Sequence, residues 1–306
     1  MELSEGQGLR PRTLGEMLDL TFRIYRRGFS LFAPLGVLVT LLGLVVSLVW
    51  QAGVFFMVGS TRPELTFDAT FLLFLLSFPL LVGATLVIYA LGSMAITAAT
   101  EDLFLGRPAR LGASLSKGLR RTLMAAGTSV VCSLLTVIGM LLCCVPGIAA
   151  LVIWILAVPL VYLEKRSIAG AMSRSWELVL RRGPTGLSIE ANWVRIVVVG
   201  LVACVVYYLM TLLAQMPILV ASVFSLLKSE QPTTTVFGPQ LAPLAVLLPL
   251  QLLGAAIQGL FLPIMIIPWP LIYFDIRTRH EGLDLEYAAS RLGSGGGSGA
   301  PPAPGP

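Results

Sequence analysis

Three carboxylates stand directly after long apolar segments, where a charged side chain would lie at the edge of a membrane. They are Glu101, Glu164 and Asp275. Each follows a run without Asp, Glu, Lys, Arg or His, and these runs cover residues 69–100, 122–163 and 231–274. Two hypotheses fit this placement. The carboxylates either converge as a polar site at the inner mouth of a helical bundle, or each ends its helix at the interface and pairs with a neighbouring arginine.

A short motif, P-L-x-Y-x-[ED]-x-R, contains two of these carboxylates. It covers residues 159–166 and again residues 270–277. The motif predicts that two membrane helices end in the same way, with a carboxylate and an arginine two residues later. Its arginines, Arg166 and Arg277, join the three carboxylates in the candidate polar cluster. The sequence leaves open whether this cluster binds a ligand or only closes the helices.

Three pairs of adjacent arginines lie shortly before apolar segments and are candidates for contacts with lipid phosphates. The pairs are Arg26 and Arg27, Arg120 and Arg121, and Arg181 and Arg182. Each basic residue near an anionic membrane surface contributes about 1 kcal/mol to binding. Arginines at these positions would also fix the orientation of the helices, because basic residues stay on the cytoplasmic side. Both interpretations remain open.

Residues suited to hydrolysis or metal chemistry are scarce in this sequence. The one histidine, His280, lies among charged residues, which is typical of a solvent-exposed side chain. No Gly-rich phosphate loop, HExxH or GxSxG motif is present. The four cysteines lie in apolar runs without CxxC spacing, as small buried hydrophobic residues do. We therefore expect no catalytic residue, no metal and no cofactor.

The composition indicates that an integral membrane protein positions these residues. Of 306 residues, 56% are hydrophobic and 12% are charged, and the mean hydropathy is +0.88. Soluble domains carry about 25% charged residues. Because a helix of ~20 apolar residues crosses a bilayer, the sequence predicts an all-α polytopic bundle of six transmembrane helices. The predicted spans are 31–52, 71–98, 122–143, 147–163, 193–214 and 241–274.

The distribution of basic residues predicts the orientation of this bundle. Nineteen of the 21 Lys and Arg residues fall on one side of the six spans, and only Arg62 and Lys228 fall on the other. By the positive-inside rule, both termini are expected to be cytoplasmic. We expect one membrane domain over 1–292 and a disordered Gly/Ser/Pro-rich tail over 293–306. The expected partners are the lipid bilayer, anionic lipid headgroups and another membrane protein, and not nucleic acid.

Local signals predict how the individual helices begin and end. Thr13 and Glu16 form a capping-box pattern before an amphipathic helix, which we expect to lie in the inner interface with its apolar side towards lipid. Pro146-Gly147 predicts the turn between spans three and four. Residues 218–227 are expected to lie along the outer surface after span five. Four prolines are expected to disrupt the inner half of span six: Pro249, Pro263, Pro268 and Pro270.

The order of these features indicates a threefold pseudo-repeat of hairpins. Each copy reads as an interfacial helix, an arginine pair, a span out, a span back and a carboxylate. The second and third interfacial segments are predicted over 106–121 and 169–182. Similarity in sequence is clear only between residues 159–166 and residues 270–277.

Several short segments occur in an order that resembles a known family. They are Leu14-Gly15-Glu16, Tyr25-Arg26-Arg27, Pro146-Gly147-Ile148, Trp154, Pro159, Glu164, Ser173-Arg174-Ser175-Trp176, Tyr273-Phe274-Asp275-Ile276-Arg277 and Glu281-Gly282-Leu283-Asp284-Leu285-Glu286. Over this range the chain resembles bacterial six-span inner-membrane proteins, often labelled as the membrane domain of glycerophosphoryl diester phosphodiesterase because some members are fused to that enzyme. The resemblance implies a six-span architecture in the bacterial cytoplasmic membrane. We expect no phosphodiesterase activity, because this sequence contains no such catalytic domain.

Two classes of function are consistent with these patterns. A non-enzymatic scaffold or assembly partner is favoured by the charge-free spans and the lack of a catalytic motif. The alternative is a transporter or lipid-handling permease for a neutral or amphiphilic substrate, favoured by the pseudo-repeat and the proline-rich sixth span. Gln251 and Gln258 give that span a polar face, which serves either helix packing or a substrate path. A solidly packed bundle centre would argue against the permease.

Overall fold

The computed structural model describes residues 12–59, 67–180, 192–228 and 244–281, and it contains no strand among them. The expected all-α class is confirmed. The helices are α1 Leu14–Arg27, α2 Phe29–Gly59, α3 Phe67–Phe104, α4 Leu111–Leu119, α5 Thr122–Leu142, α6 Cys144–Trp154, α7 Ala157–Leu163, α8 Ile168–Leu180, α9 Asn192–Lys228, α10 Leu244–Ile266 and α11 Pro268–Glu281.

Six segments in this part of the chain are long and apolar enough to cross a membrane, so the predicted polytopic bundle is confirmed. They are Phe29–Gly53, Leu75–Phe104, Thr122–Leu142, Cys144–Leu163, Asn192–Val220 and Leu248–Arg279. The fourth combines α6 with α7, and the sixth combines α10 with α11. A short helix precedes each pair of spans, namely α1, α4 and α8. This order of elements matches the predicted pseudo-repeat.

Four of the spans pack side by side as an arc in the order α3, α2, α10, α9. The closest approach joins α2 to α10, where a Cβ added to Gly36 would lie 2.0 Å from the carbonyl oxygen of Gly259. Close backbone contact of this kind is a main source of helix association in lipid. The hydroxyl of Thr40 adds a hydrogen bond to the carbonyl oxygen of Ala255 at 2.8 Å. The α5–α6 hairpin contacts both edges of the arc, α3 and α9.

Among the residues that the structure describes, dense packing is found at one end of the bundle. At that end, which we call the packed half, large side chains are fully buried, including Phe32, Leu35, Met94, Ile96, Leu156, Leu160 and Ile267. We call the other end the open half, and its described residues are 41–53, 72, 75–89, 129–151, 208–220 and 248–258. The buried residues among these are all small: Gly139, Gly147, Ala150, Ala214, Gly254 and Ala255. The bundle centre is therefore not solidly packed along its whole length.

The turn between the third and fourth spans lies before the predicted position. α5 ends at Leu142, Cys143 is extended, and Pro146 and Gly147 lie in the first turn of α6. Proline is tolerated in a first helical turn because its missing N–H would lack an intrahelical partner there. A Cβ added to Gly139 would lie 2.9 Å from the Cα of Gly147. The predicted hairpin therefore forms, but its turn lies at Cys143 and not at Pro146-Gly147, and Gly147 serves close packing within the hairpin.

The fifth span does not end near residue 214 as predicted. α9 is one helix from Asn192 to Lys228 that passes through Pro217, so a separate surface segment over 218–227 is wrong. Proline inside a membrane helix removes one backbone hydrogen bond, which neighbouring groups can replace. At 1.5 Å per residue this helix exceeds the ~30 Å hydrocarbon core, so part of it extends beyond that core.

The sixth span is interrupted once, and not throughout its inner half. Pro249 and Pro263 lie inside α10, the helix breaks at Ile267, and α11 begins at Pro268. Pro268 and Pro270 fall in the first turn of α11, where the fixed φ of proline is compatible with a helix. The predicted irregularity is therefore confirmed at the break and wrong for the residues after it.

The first amphipathic helix forms as predicted, but its apolar side covers protein. Thr13 and Glu16 form the capping box, with Glu16 N–H donating to Thr13 Oγ1 at 3.3 Å and Thr13 N–H to Glu16 Oε2 at 3.0 Å. Met17 is buried in the main core. The hydroxyl of Tyr25 donates to the carbonyl oxygen of Leu260 at 2.6 Å. The expectation that this face rests on lipid is therefore wrong.

The contact between Gly36 and Gly259 gives a test of the packing. Replacing Gly36 with Ala should destabilise the protein by about 1–3 kcal/mol, because the added methyl group would force α2 and α10 apart. Gly43→Ala on the same helix is the control, since nothing lies within 4 Å of its added Cβ. Thermal unfolding in mild detergent measures both variants. Equal melting temperatures would contradict the close approach.

Candidate functional site

Charged side chains gather at the packed half and pair with one another. We call this set the ion-pair belt. It consists of Asp102, Lys117, Glu164, Arg166, Arg174, Glu177, Arg195, Asp275, Arg277, Arg279 and Glu281. Its members come from α3, α4, α8, α9, α11 and the segment after α7, so the belt ties together elements that are far apart in the chain.

Arg174 on α8 is the centre of one part of the belt. Its Nε lies 3.2 Å from Glu164 Oε1, its Nη1 lies 2.9 Å from Glu177 Oε2, and its Nη2 bonds Glu281. The side chain is only 13% exposed. Burial would lower the pKa of Arg174, but the hydrogen bonds to Glu281, Glu177 and Glu164 outweigh this effect and the pKa is raised. Arg174 therefore remains charged and neutralises carboxylates from two other segments.

Two residues of α11 complete a closed network around Glu164. The hydroxyl of Tyr273 donates to Glu164 Oε1 at 3.2 Å, and Arg277 Nη1 donates to that hydroxyl at 3.1 Å. Arg277 Nε also lies 2.8 Å from Glu281 Oε2. Burial opposes the ionisation of Glu281, but the hydrogen bonds from Arg174 and Arg277 outweigh it, so the pKa of Glu281 is lowered.

Asp275 is the least exposed carboxylate of the belt, with a side chain that is 4% exposed. Arg195 Nη1 of α9 lies 2.7 Å from its Oδ2, and Arg279 Nε lies 2.9 Å from the same atom. The backbone N–H of Arg12 donates to Asp275 Oδ1 at 2.7 Å. Both arginines also donate to the carbonyl oxygen of Arg12. Asp275 therefore ties the start of α1 to α9 and α11.

Glu101 does not end its helix, because α3 continues to Phe104. The expectation that it terminates the second span is wrong. The next residue, Asp102, pairs with Lys117 of α4 at 2.6 Å. The side chains of Tyr162 and Glu101 lie close together. Glu101 and Asp102, in the last turns of α3, therefore both lie next to side chains from other segments.

Glu101, Glu164 and Asp275 are linked in cyclic order through side chains of neighbouring segments. Tyr162, which contacts Glu101, stands two residues before Glu164. Tyr273, which bonds Glu164, stands two residues before Asp275. Asp275 in turn bonds the start of the first repeat, and α3, α7 and α11 contact one another. The structure therefore brings these carboxylates to one end of the bundle, and it also pairs Glu164 and Asp275 with arginines.

The arginines predicted from the sequence differ in their placement. Arg166 pairs with Glu164 at 2.9 Å and its side chain is 47% exposed, whereas that of Arg277 is 26% exposed. Arg120 is exposed and Arg121 is partly buried where α4 meets α5. A shallow depression on the outer face of α1 is lined by Asp19, Phe22, Arg23, Arg26 and Arg27. The pair Arg181 and Arg182, the side chain of His280 and the tail 293–306 lie outside the described residues.

Sequence reasoning missed two basic partners of the carboxylates, Arg174 and Arg195, and a further carboxylate of the belt, Glu281. No spacing rule connects Arg195 to Asp275, because they are 80 residues apart. A signal for the tyrosines was present, since both copies of the repeated motif contain one. Tyr162 and Tyr273 occupy the same position in the two copies, so each could have been predicted to lie next to a carboxylate.

The cysteines differ from their predicted burial. Cys132 and Cys204 are partly buried, but Cys143 and Cys144 are exposed at the turn between α5 and α6. That turn carries the extended residue of the hairpin, so two side chains expected to be buried lie on its surface. Within the described ranges, no group of three His, Cys, Asp or Glu residues is placed to hold a metal ion.

A second, uncharged polar cluster lies in the spans and consists of Tyr89, Tyr207 and Gln258. Gln258 Nε2 donates to the Tyr207 hydroxyl at 3.1 Å. The hydroxyl groups of Tyr89 and Tyr207 lie close together. Because α3 and α9 are the two edges of the arc, this contact places the cluster on the concave side. We call it the tyrosine–glutamine cluster.

The Arg174 network predicts unequal effects of two arginine substitutions. Arg174→Ala should lower the free energy of unfolding by about 3 kcal/mol, because it leaves buried carboxylates without a counter-charge. Arg166→Ala removes a partner of the same Glu164, but it should cost less than about 1 kcal/mol because that arginine is largely exposed. Thermal or denaturant unfolding in detergent compares the two variants. Similar losses for both would contradict the role assigned to Arg174.

The lowered pKa of Glu281 predicts a loss of stability in acid. Its contribution is fully present above the ordinary glutamate pKa of 4.5 and is lost as pH falls below that value towards the folded-state pKa. The melting temperature of Glu281→Gln should therefore depend less on pH below about 4.5 than that of the wild type. Glu177→Gln, which removes an exposed partner of the same arginine, is the control. Parallel pH profiles for wild type and Glu281→Gln would contradict this prediction.

Comparison of the chain with models of protein families, with curated proteins and with solved structures finds no match. The geometry of the packed half, the open half and the tyrosine–glutamine cluster is therefore the basis for a functional assignment.

Proposed function

We propose that this protein is a non-enzymatic, lipid-handling permease of the bacterial cytoplasmic membrane that accommodates a neutral amphiphile between its arc and its α5–α6 hairpin. The observation that carries this proposal is the open half. Its described residues include no large buried side chain, whereas the packed half is filled by them. A solidly packed centre would have left no place for an amphiphile.

The attachment of the hairpin supports an opening to the side. Thr122, Ala125, Ala126 and Thr128 are buried in the first turns of α5, next to the packed half. Beyond them, large apolar side chains of the hairpin are exposed, including Leu134, Val137, Ile138, Leu141, Leu142, Val145 and Ile148. Lipid chains solvate such surfaces as well as other helices do. Acyl chains are therefore suitable occupants of the space beside the hairpin.

The charge distribution supports two parts of the proposal, namely an uncharged substrate and a cytoplasmic position of the ion-pair belt. The residues of the open half include no Asp, Glu, Lys, Arg or His, so an ionised group there would lack a counter-charge. We place the ion-pair belt and both termini on the cytoplasmic side, since 19 of the 21 basic residues lie on that side of the predicted spans. Arg26 and Arg27 on the outer face of α1 are then suited to contact anionic lipid phosphates.

Reconstitution into liposomes tests the permease. With an NBD-labelled glucosyl lipid, dithionite should reduce label from both leaflets in proteoliposomes but only from the outer leaflet in protein-free vesicles. NBD-phosphatidylglycerol should not be moved, because the open half holds no cation to pair with its phosphate. Reduction that stops at the outer leaflet for the glucosyl lipid in proteoliposomes would contradict the proposal.

The exposed hairpin also favours a second candidate, a scaffold or assembly partner that receives a helix of another membrane protein. Its apolar surface on the open half offers room for such a helix. Purification in a mild detergent distinguishes the two functions. A stable stoichiometric partner supports the scaffold, whereas a monomer that moves the glucosyl lipid supports the permease.

A further inference from the structure

The tyrosine–glutamine cluster lies deep in the membrane-spanning part of the bundle. Tyr207 is twelve residues from Arg195 on α9, which corresponds to about 18 Å along a helix. With the belt at the interface, this is close to the middle of a ~30 Å hydrocarbon core. Water is scarce at that depth, so polar groups there need partners from protein or from a ligand.

The cluster has more hydrogen-bonding capacity than its internal contacts use. The Tyr207 hydroxyl accepts a hydrogen bond from Gln258 Nε2 and lies close to the hydroxyls of Tyr89 and Thr211. Thr211 Oγ1 is buried and has no hydrogen-bond partner among the described residues, so its hydroxyl remains available to a ligand. Gln258 uses one N–H, and no described residue bonds its amide oxygen. The cluster can therefore both donate a hydrogen bond to a ligand and accept one.

Access to the cluster comes from the open half. Tyr207 is 7% exposed, but Tyr89 is 37% exposed and Tyr208, whose ring meets that of Tyr207 edge-on, is 63% exposed. Towards the packed half, the floor is apolar, with Val39 and Leu262 packed against Tyr207. A ligand would reach the hydroxyls from the open half and stop at this apolar floor.

The chemistry of the cluster selects an uncharged ligand group. Phenolic hydroxyls and an amide hydrogen-bond to hydroxyl groups in both directions, and aromatic rings offer an apolar surface beside them. The nearest charged side chains that the structure describes along α9 are in the belt, so a phosphate or carboxylate would be buried here without a counter-charge.

We propose that the tyrosine–glutamine cluster binds the uncharged, hydroxyl-bearing headgroup of an amphiphile, whose chains occupy the space between the arc and the hairpin. This inference rests on the permease proposed above and names the substrate class. If the cluster served packing alone, the same three side chains would only join α3, α9 and α10. A packing role and a binding role therefore differ in whether substitution of these side chains changes ligand binding.

Binding to the full-length protein in an amine-oxide detergent tests this site. The rise in melting temperature with added dioleoyl glucosylglycerol gives an apparent Kd. Loss of one neutral hydrogen bond should make the apparent Kd about fivefold weaker in Tyr207→Phe, and Gln258→Leu should show a similar loss. Tyr208→Phe, at the exposed neighbour, should bind as the wild type does. Dioleoyl phosphatidylglycerol should not stabilise any of the four proteins.

An unchanged apparent Kd in both Tyr207→Phe and Gln258→Leu would overturn the site, even where their melting temperatures fall, because the cluster would then only join helices. If Tyr207→Phe does not fold, Gln258→Leu alone decides. Failure of the permease gives a different result, namely normal glucosyl-lipid binding by the wild type without movement of label in liposomes. If the wild type moves the labelled lipid but both variants bind the glucosyl lipid normally, the headgroup binds at a site other than the tyrosine–glutamine cluster.

Discussion

Buried carboxylates at one end of the bundle must be neutralised, and this requirement organises the rest of the structure. Asp275, Glu164 and Asp102 all meet a basic side chain from another helix or loop. Leaving one of these charges unpaired would cost several kcal/mol. Glu164 and Asp275, which close the second and third hairpins, each bond a segment of another hairpin. Glu164 accepts a hydrogen bond from Tyr273 of α11, and Asp275 accepts one from the backbone at the start of α1. Three hairpins are held together by polar contacts at a single end.

The open half follows from the same arrangement. In lipid, apolar side chains gain little from leaving the acyl chains, so helix association depends on close packing and hydrogen bonds. These interactions are concentrated at the packed half, with Gly36 against Gly259 at its edge. Towards the other end the hairpin keeps contacts within itself, through Gly139 and Gly147. The described part of the bundle is therefore joined at one end and loosely packed at the other, and this difference is the basis of the proposed permease.

Local patterns in the sequence predicted the features that depend on neighbouring residues. The capping box at Thr13 and the apolar spans are examples, because the residues that form each of them lie in one continuous segment of the sequence. Tertiary contacts decided the rest. The apolar face of α1 could rest on lipid or on protein, and the sequence is equally apolar in both cases. Arg195 bonds Asp275 across 80 residues, and continuation of α9 through Pro217 depends on its surroundings. The candidate carboxylates and one partner, Arg166, were predicted, but the more buried partners Arg174 and Arg195 were not.

A double-mutant cycle on Glu164 and Tyr273 tests most directly whether contacts between successive hairpins hold the packed half together. The free energy of unfolding would be measured in detergent for Glu164→Gln, Tyr273→Phe and the double variant. Hydrogen-bonded residues in one network couple by about 0.5–3 kcal/mol. The interlocked arrangement predicts a coupling in that range, with the double variant less destabilised than the sum of the single variants. Strict additivity would contradict it.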